Sequence, residues 1–461
     1  MYKYKKQNFY IPILDLLSRL ILFILAIFSV ILILKSTNLN IEVILVIYGI
    51  GAIFLVIQLN TIPIQKFGPA YSIMLYTILT QFGFAIVYLI ANKDVYINEL
   101  YVNRHLYINY LPQVFAISFV GCYSFFIGIR SSEVFGIKQK KEEKSELTTR
   151  TILFRKRLRE NYLFISTIII YIFAIVLLAV TVKEGLLYKD YSVVKEVFGE
   201  KSFLAYLQNF FWVAVIPIAL LGENKTFKIN IIPMGIIILI LLLTGNRNDV
   251  LIPLAIGFSI YCLVKKRVPK ILLYIGLLIL FVINPAISAT RKDGGLSLTD
   301  LSWGFSDALI EMGGQVNPFT VVVFLVENGF DKLHGLSLIL PTISIFNLNI
   351  YYSTSDFLNS VFHIPNILAL QDHYGQAFSM MGEMWLNFGV IGVVACYYIY
   401  GYYSNKIEKS SLSSVQLIFY GQFSILMMYW VRNSLMFNII IIIFSVLLYS
   451  IIWLLSNFRK S

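Results

Sequence analysis

Residues 231–250 read IIPMGIIILILLLTGNRNDV, a long apolar run that ends in a short polar cluster. The stretch Leu20–Leu34 is almost continuously apolar in the same way. Strands of an outer-membrane barrel alternate apolar and polar residues, whereas a membrane helix needs roughly 20 mostly apolar residues in succession. These stretches therefore indicate membrane helices, and the cluster Gly245–Asp249 indicates where one helix ends and the next begins.

The composition extends this reading to the whole chain. Hydrophobic residues make up 58% of the 461 residues and charged residues 13%, with a mean hydropathy of +0.77. A soluble domain is about 45–50% apolar and about 25% charged. Disordered, collagenous and ordinary cytosolic proteins are therefore excluded. The composition predicts an all-α polytopic membrane protein.

Twelve segments have the length and composition of membrane helices. They are 13–34, 41–58, 69–91, 111–129, 161–182, 203–221, 231–244, 250–264, 271–289, 385–403, 414–431 and 435–455. We expect the whole chain, 1–461, to form a single integral membrane domain. The three cysteines lie in apolar segments without a Cys-x-x-Cys neighbour, so neither a disulfide framework nor a zinc site is predicted.

The formal charge of +12 comes from 37 basic and 25 acidic residues. A basic balance can indicate a nucleic-acid partner, but cytoplasmic loops of membrane proteins carry an excess of Lys and Arg. With the N-terminus in the cytoplasm, the basic residues favour the cytoplasmic side by about two to one. We therefore predict that both termini are cytoplasmic and that nucleic acid is not a partner. The basic run Lys138–Arg159 is interpreted as a solvated linker, with a lipid-phosphate patch as the alternative.

The longest non-spanning segment is 290–384, on the predicted outer side between predicted helices 9 and 10. It contains apolar stretches that glycine and proline residues interrupt. A connection of this length within a compact protein is usually functional. We expect it to fold as a helical cap over the membrane bundle.

Three arginines, Arg247, Arg291 and Arg432, lie at or near outer helix ends, against the positive-inside trend. A guanidinium is a rigid fork that suits phosphate oxygens, and it is costly where it faces lipid. Glycines close to Arg247 and Arg291 allow backbone amides to approach an anion. The pattern predicts a diphosphate-binding site, with ordinary interfacial anchors as the alternative.

Two candidate proton acceptors, His373 and Glu383, lie in the segment 371–389. Histidine titrates near neutral pH, and a partly desolvated carboxylate also suits proton transfer. Simpler roles remain open for both: an interfacial histidine, and a glutamate bonded to a neighbouring helix.

Polar and aromatic residues that suit a glycan accompany these groups. Gln315 lies in a glycine-rich break, and Tyr374, Trp385 and Asn387 belong to the segment 371–389. Aromatic faces and side-chain amides suit a glycan groove and, equally, an interfacial aromatic belt. No nucleotide-binding or metal-binding motif is present in the sequence, so we expect neither a metal nor another cofactor.

Five motifs, taken in order, resemble the Wzy-type polymerases of O-antigen, capsule and exopolysaccharide repeat units. They are LTGNRNDVL at 243–251, RKDGG at 291–295, MGGQ at 312–315, HGLS at 334–337 and GQAFSMMGEMWLNFGVIG at 375–392. The last is the most specific, and the match in order and spacing covers about 240–405.

The resemblance implies a GT-C-type membrane glycosyltransferase in the bacterial cytoplasmic (inner) membrane. Its substrates would be undecaprenyl-diphosphate-linked oligosaccharides on the outer face, of lipopolysaccharide or capsule, and a chain-length regulator is a further implied partner. The growing chain would move onto the non-reducing end of a fresh repeat unit. In that scheme Arg247, Arg291 and Arg432 bind the leaving diphosphate, and His373 or Glu383 takes the proton of the attacking hydroxyl.

Two alternatives to the polymerase are an O-antigen ligase and a flippase of the same lipid-linked units. Related ligases carry a histidine at the position of Phe378, which argues against a ligase and leaves the base open between His373 and Glu383. A flippase would place charged residues within its spans, around a central cavity. The predicted spans are almost free of charge, so the sequence favours the polymerase.

Overall fold

All regular secondary structure in the described residues of the computed structural model is helical. The described residues are 10–35, 39–62, 64–90, 109–134, 149–186, 197, 203–244, 248–265, 305–314, 316–338, 379–410, 412–433 and 435–458. The helices are α1 (Tyr10–Lys35), α2 (Ile41–Thr61), α3 (Pro69–Ile90), α4 (Leu111–Val134), α5 (Thr149–Glu184), α6 (Phe203–Leu221), α7 (Asn224–Leu243), α8 (Asn248–Lys265), α9 (Phe305–Gly313), α10 (Val316–Glu327), α11 (Met380–Lys409), α12 (Ser414–Trp430) and α13 (Met436–Phe458).

Helices lie over every predicted span except 271–289, which falls outside the described residues. Seven of the described helices are long and apolar enough to cross a membrane. The prediction of a polytopic helical protein is thus confirmed. Three helices begin at least five residues earlier than predicted, α5 at Thr149, α7 at Asn224 and α11 at Met380. Their first turns include charged or polar residues, which a search for apolar runs does not assign to a helix.

The surface of the bundle is apolar, and its interior holds polar side chains. Leu16, Ile175 and Ile232 are 70%, 64% and 71% exposed. Gln81 and Ser118 are buried, and Ser118 Oγ donates a hydrogen bond to Gln81 Oε1 at 3.1 Å. A water-soluble protein shows the opposite distribution. The arrangement is that of a bundle surrounded by lipid.

Polar contacts between helix ends define two faces of the bundle. At one end, Gln58 Nε2 and Thr61 Oγ1 of α2 donate to Asp15 Oδ1 of α1 at 2.9 and 3.0 Å. At the other end, Gln113 Nε2 of α4 donates to Glu327 Oε1 of α10 at 3.1 Å. The first end, where α1 begins, is named the N-terminal face, and the second is named the site face.

Helix α9 packs against α3 inside the bundle. A Cβ atom on Gly83 of α3 would lie 2.3 Å from the Leu309 carbonyl oxygen and 3.0 Å from the Gly313 amide nitrogen. Gly83 is seven residues from the end of α3 at Ile90, so this contact lies about 10 Å below that end. The described residues 305–314 and 316–338 of the predicted cap thus include a segment that packs within the membrane bundle.

Replacing Gly83 by Ala is expected to lower the melting temperature of the protein in detergent, because the added methyl group overlaps the Leu309 carbonyl. Overpacking of this kind costs about 1–3 kcal/mol. The matched control is Gly235→Ala in α7, where a Cβ atom has no neighbour within 4 Å and alanine is the better helix former. Equal melting temperatures for the two variants would contradict this close packing.

Helix α11 folds back on itself at Gly389, whose backbone angles are φ 65° and ψ −154°. A Cβ atom on Gly392 would lie 2.8 Å from the Met384 carbonyl oxygen. In a straight helix these two residues would be separated by about 12 Å along the axis. The first arm of α11, residues 380–388, therefore runs back beside the second arm, residues 390–409. Glycine adopts the backbone conformation at the reversal without the strain that a Cβ atom would bring.

Candidate active site

Glu383 is fully buried in the first arm of α11. Ser379 caps the start of this arm, where its Oγ accepts a hydrogen bond from the Gly382 amide at 3.0 Å. Glu383 Oε2 accepts hydrogen bonds from Trp430 Nε1 at 2.7 Å and from the Leu435 amide at 2.9 Å. A buried carboxylate requires such donors to offset its lost hydration. The two bonds tie the first arm to the turn between α12 and α13.

Arg432 lies in that turn, between the two donors to Glu383. Its side chain is half-buried, and its amide donates to the Tyr429 carbonyl oxygen at 3.0 Å. Because one carboxylate binds Trp430 before the arginine and Leu435 after it, Glu383 sets the position of the whole turn. Arg432, which is predicted to bind the diphosphate, and Glu383, which is predicted to accept a proton, thus lie in one part of the fold.

The loop after α10 closes the end of the first arm. Since the arm ends at Gly389, the carbonyl oxygens of Leu386 and Asn387 lack their usual helical partners. The amides of Leu333 and His334 donate to these oxygens at 3.0 and 3.2 Å. The HGLS motif is therefore a cap for the reversal in α11.

Two residues predicted to bind glycan, Asn387 and Trp385, are buried in the same arm. Asn387 Oδ1 accepts a hydrogen bond from the Gly335 amide at 2.8 Å, and its Nδ2 donates to Ser337 Oγ at 2.6 Å. Trp385 Nε1 has no hydrogen-bond partner among the described residues. Asn387 therefore joins the first arm to the loop after α10.

The start of α8 lies beside the Arg432 turn. Asp249 Oδ1 accepts a hydrogen bond from Tyr429 OH at 3.3 Å, and the Asp249 carbonyl oxygen accepts one from Trp212 Nε1 at 2.7 Å. Asp249 follows Arg247 by two residues in the sequence. The end of the LTGNRNDVL motif is thus next to the turn that carries Arg432.

The Arg432 turn and the start of α8 lie deeper in the bundle than the ends of neighbouring helices on the site face. Trp212, which contacts Asp249, is nine residues from the start of α6, so α6 rises about 13 Å above this contact. Gly121 of α4 packs against the first arm of α11 and is ten residues from the start of α4, which gives a rise of about 15 Å. Among the described residues, the Arg432 turn and the start of α8 therefore form the floor of a recess in the site face.

Several predicted site residues fall outside the described residues: Arg247, Arg291, Gln315, His373 and Tyr374. Their roles stay predictions. The described part of the chain contains no group of three or more His, Cys, Asp and Glu side chains that could hold a metal ion.

The sequence analysis does not identify the residues whose hydrogen bonds connect the floor of the recess. They are Asp249, Trp212, Tyr429 and Trp430. Their positions carried a weak signal, because Asp249 closes a polar cluster and Tyr429-Trp430 directly precede Val431 and Arg432. Their partners, however, are 37, 47 and 180 residues apart in the chain. A single sequence does not show which of its distant residues meet.

Comparison with known proteins agrees with the order of motifs. The family model for O-antigen polysaccharide polymerase Wzy matches residues 18–460, nearly the whole chain. The match extends the resemblance from about 240–405 to the N-terminal half of the chain, where the sequence agreed only in hydropathy. No curated protein and no solved structure matches the chain.

Proposed function

The chain belongs to the O-antigen polysaccharide polymerase Wzy family, and from that membership we propose that it joins undecaprenyl-diphosphate-linked oligosaccharide repeat units. We place the site face on the outer side of the bacterial cytoplasmic membrane, with both termini in the cytoplasm. In this proposal the protein is a membrane glycosyltransferase of the GT-C type, and the recess receives the lipid diphosphate.

The observation that carries the proposal is the Arg432 turn on the floor of the recess, next to the start of α8. The bond between Tyr429 and Asp249 joins the two, and Arg247 precedes Asp249 by two residues. A pair of guanidinium groups suits a diphosphate, because each can form two parallel hydrogen bonds to phosphate oxygens. In this proposal Arg432 and Arg247 supply that pair. We assign Arg291 to the same anion.

The proposed reaction is a displacement at the anomeric carbon that carries the diphosphate of the growing chain. A hydroxyl at the non-reducing end of the new unit attacks this carbon, and a glycosidic C–O bond forms while the bond to the diphosphate oxygen breaks. Undecaprenyl diphosphate leaves with the electron pair, and the arginines stabilise its charge. The hydroxyl proton passes to a base, for which we propose His373.

We assign Glu383 a positioning role instead of the role of the base. Its carboxylate is fully buried and already accepts hydrogen bonds from Trp430 and Leu435. Contact with a sugar hydroxyl would require the residues around this fully buried side chain to move apart. The geometry supports the simpler alternative for this residue, a glutamate bonded to a neighbouring helix.

The test of the proposal uses the purified protein in lipid nanodiscs with synthetic undecaprenyl-diphosphate-linked repeat units. We expect a ladder of longer lipid-linked products, with one undecaprenyl diphosphate released for each linkage formed. A flippase would move the lipid across the bilayer and form no longer product. Free oligosaccharide, or unchanged single units, would contradict the proposal.

Replacing Arg432 by Ala is expected to slow ladder formation by about 100-fold, because removal of one preorganised donor to a developing oxyanion costs about 10²–10³ in rate. Arg432→Lys keeps the charge but loses the planar fork, so its rate should lie in between. The control is Lys406→Ala, which removes an exposed charge from the N-terminal face. Equal ladder rates for Arg432→Ala and the control would remove Arg432 from the diphosphate site.

A further inference from the structure

The start of α8 is fixed by two donors from neighbouring helices. Pro253 lies four residues after Asp249 and has no amide hydrogen, so the Asp249 carbonyl oxygen lacks its intrahelical partner. Trp212 Nε1 of α6 donates to this oxygen at 2.7 Å. Tyr429 OH of α12 donates a hydrogen bond to Asp249 Oδ1 at 3.3 Å. The backbone carbonyl and the side-chain carboxylate of Asp249 are therefore both bound by residues of other helices.

Tyr429 connects this anchor to the Arg432 turn. Its carbonyl oxygen accepts the amides of Arg432 at 3.0 Å and Asn433 at 2.8 Å. Its ring packs on Trp212, with centroids 4.7 Å apart and an interplanar angle of 36°. Both aromatic side chains are buried, and aromatic packing of this kind restrains both rings. A single residue thus contacts the start of α8 through its hydroxyl and the arginine turn through its backbone.

We propose that Asp249, Trp212 and Tyr429 form a mount that fixes the Arg432 turn against the start of α8, so that Arg432 is held in place before the diphosphate binds. This inference rests on the proposed function. The three are positioning residues, because they act through Arg432 and make no contact with substrate themselves. Donors that are held in place before the reaction stabilise a leaving anion better than donors that must first be moved.

The charge at Asp249 fits this role. A carboxylate beside a diphosphate site would compete with the diphosphate for the arginine side chains if it were free to turn towards them. Here Tyr429 of α12 holds it by a hydrogen bond to Oδ1. The mount thereby holds Asp249 in one orientation, with its carboxylate bound to Tyr429.

The mount is tested with Tyr429→Phe and Trp212→Phe, which remove one donor each and keep an aromatic ring. We expect kcat for ladder formation to fall about 10- to 100-fold, since a small misplacement of catalytic groups costs about that much, with little change in KM for the lipid-linked unit. The matched control is Tyr71→Phe, which removes a hydroxyl that donates to Asn60 Oδ1 at 3.1 Å. We expect its kcat to equal that of the wild type, at a melting temperature similar to that of Tyr429→Phe.

A second measurement combines Tyr429→Phe with Arg432→Ala. Because the mount acts through Arg432, the tyrosine substitution should cost less in the Arg432→Ala background than in the wild type. Fully additive effects, or unchanged kcat in both phenylalanine variants of a protein whose wild type forms the ladder, would overturn the mount and leave the polymerase intact. A wild-type protein that forms no ladder would overturn the polymerase, and the mount with it.

Discussion

Ladder formation by Glu383→Ala is expected to be undetectable, and its melting temperature well below that of the wild type. The substitution leaves Trp430 Nε1 and the Leu435 amide without the acceptor that now binds them at 2.7 and 2.9 Å. Each buried unpaired donor costs about 1–3 kcal/mol. The turn that carries Arg432 also loses its attachment to α11. The variant thus loses stability, and Arg432, which binds the diphosphate in the proposal, loses its fixed position.

Glu383→Gln separates positioning from proton transfer. Glutamine keeps an oxygen that can accept both hydrogen bonds, although a neutral acceptor binds about half as strongly as a charged one. We therefore expect a melting temperature close to that of the wild type and a ladder rate about tenfold lower, which corresponds to about 1.4 kcal/mol. If Glu383 were the base, the glutamine variant would be as inactive as the alanine variant despite its normal fold. Ladder rates and melting temperatures of both variants decide between the two roles.

Gly389→Ala is expected to abolish polymerisation, although the residue is not proposed to touch substrate. Its backbone angles of φ 65° and ψ −154° belong to a region that is nearly restricted to glycine, and a side chain there costs about 1–3 kcal/mol. The new Cβ atom would also lie 2.9 Å from Lys332 Nζ. Relief of this strain requires the two arms of α11 to separate, which moves Glu383 away from its donors.

The control for this variant is Gly185→Ala. Gly185 also has a positive φ, 60°, but a Cβ atom there has no neighbour within 4 Å, and the residue lies at the end of α5. We expect a small loss of stability and an unchanged ladder, because this backbone strain is not coupled to the recess. A normal ladder from purified Gly389→Ala would show that the reversal in α11 is not needed for polymerisation.

The positions of the helices could be predicted from the sequence because lipid imposes a simple condition on them. Long apolar runs give membrane helices, and the structure has helices over all predicted spans in its described residues. This condition does not locate the end of a helix that continues into polar sequence. Helix α5 begins at Thr149, well before the apolar run, because its basic first turns need no lipid contact and satisfy their backbone hydrogen bonds within the helix.

The reversal at Gly389 could not be predicted in this way. The sequence around it, NFGVIG, also suits a continuous helix, since single glycines are tolerated in membrane helices. What stops the first arm is a set of amides from Leu333 and His334, more than 50 residues earlier in the chain. The hydropathy of a single sequence contains no information about such a partner.

The candidate site residues are predicted from residue type and from position at outer helix ends, and their roles stay predictions. The structure brings two of them together, because Glu383 binds the turn that carries Arg432. The role of Glu383 could not be read from the sequence, because it depends on Trp430, which is 47 residues away. Asp249 was overlooked, since its importance arises from Pro253 and Trp212 together.

Photo-crosslinking from the Arg432 turn tests whether the lipid-linked repeat unit binds there. A benzophenone amino acid replaces Asn433, which is half-buried in that turn, and in a second variant it replaces Lys406 on the N-terminal face. Both are irradiated in nanodiscs with a radiolabelled undecaprenyl-diphosphate-linked repeat unit. We expect labelling at position 433, reduced by excess unlabelled substrate, and none at position 406. Labelling at 406 without labelling at 433 would contradict binding of the substrate at the Arg432 turn.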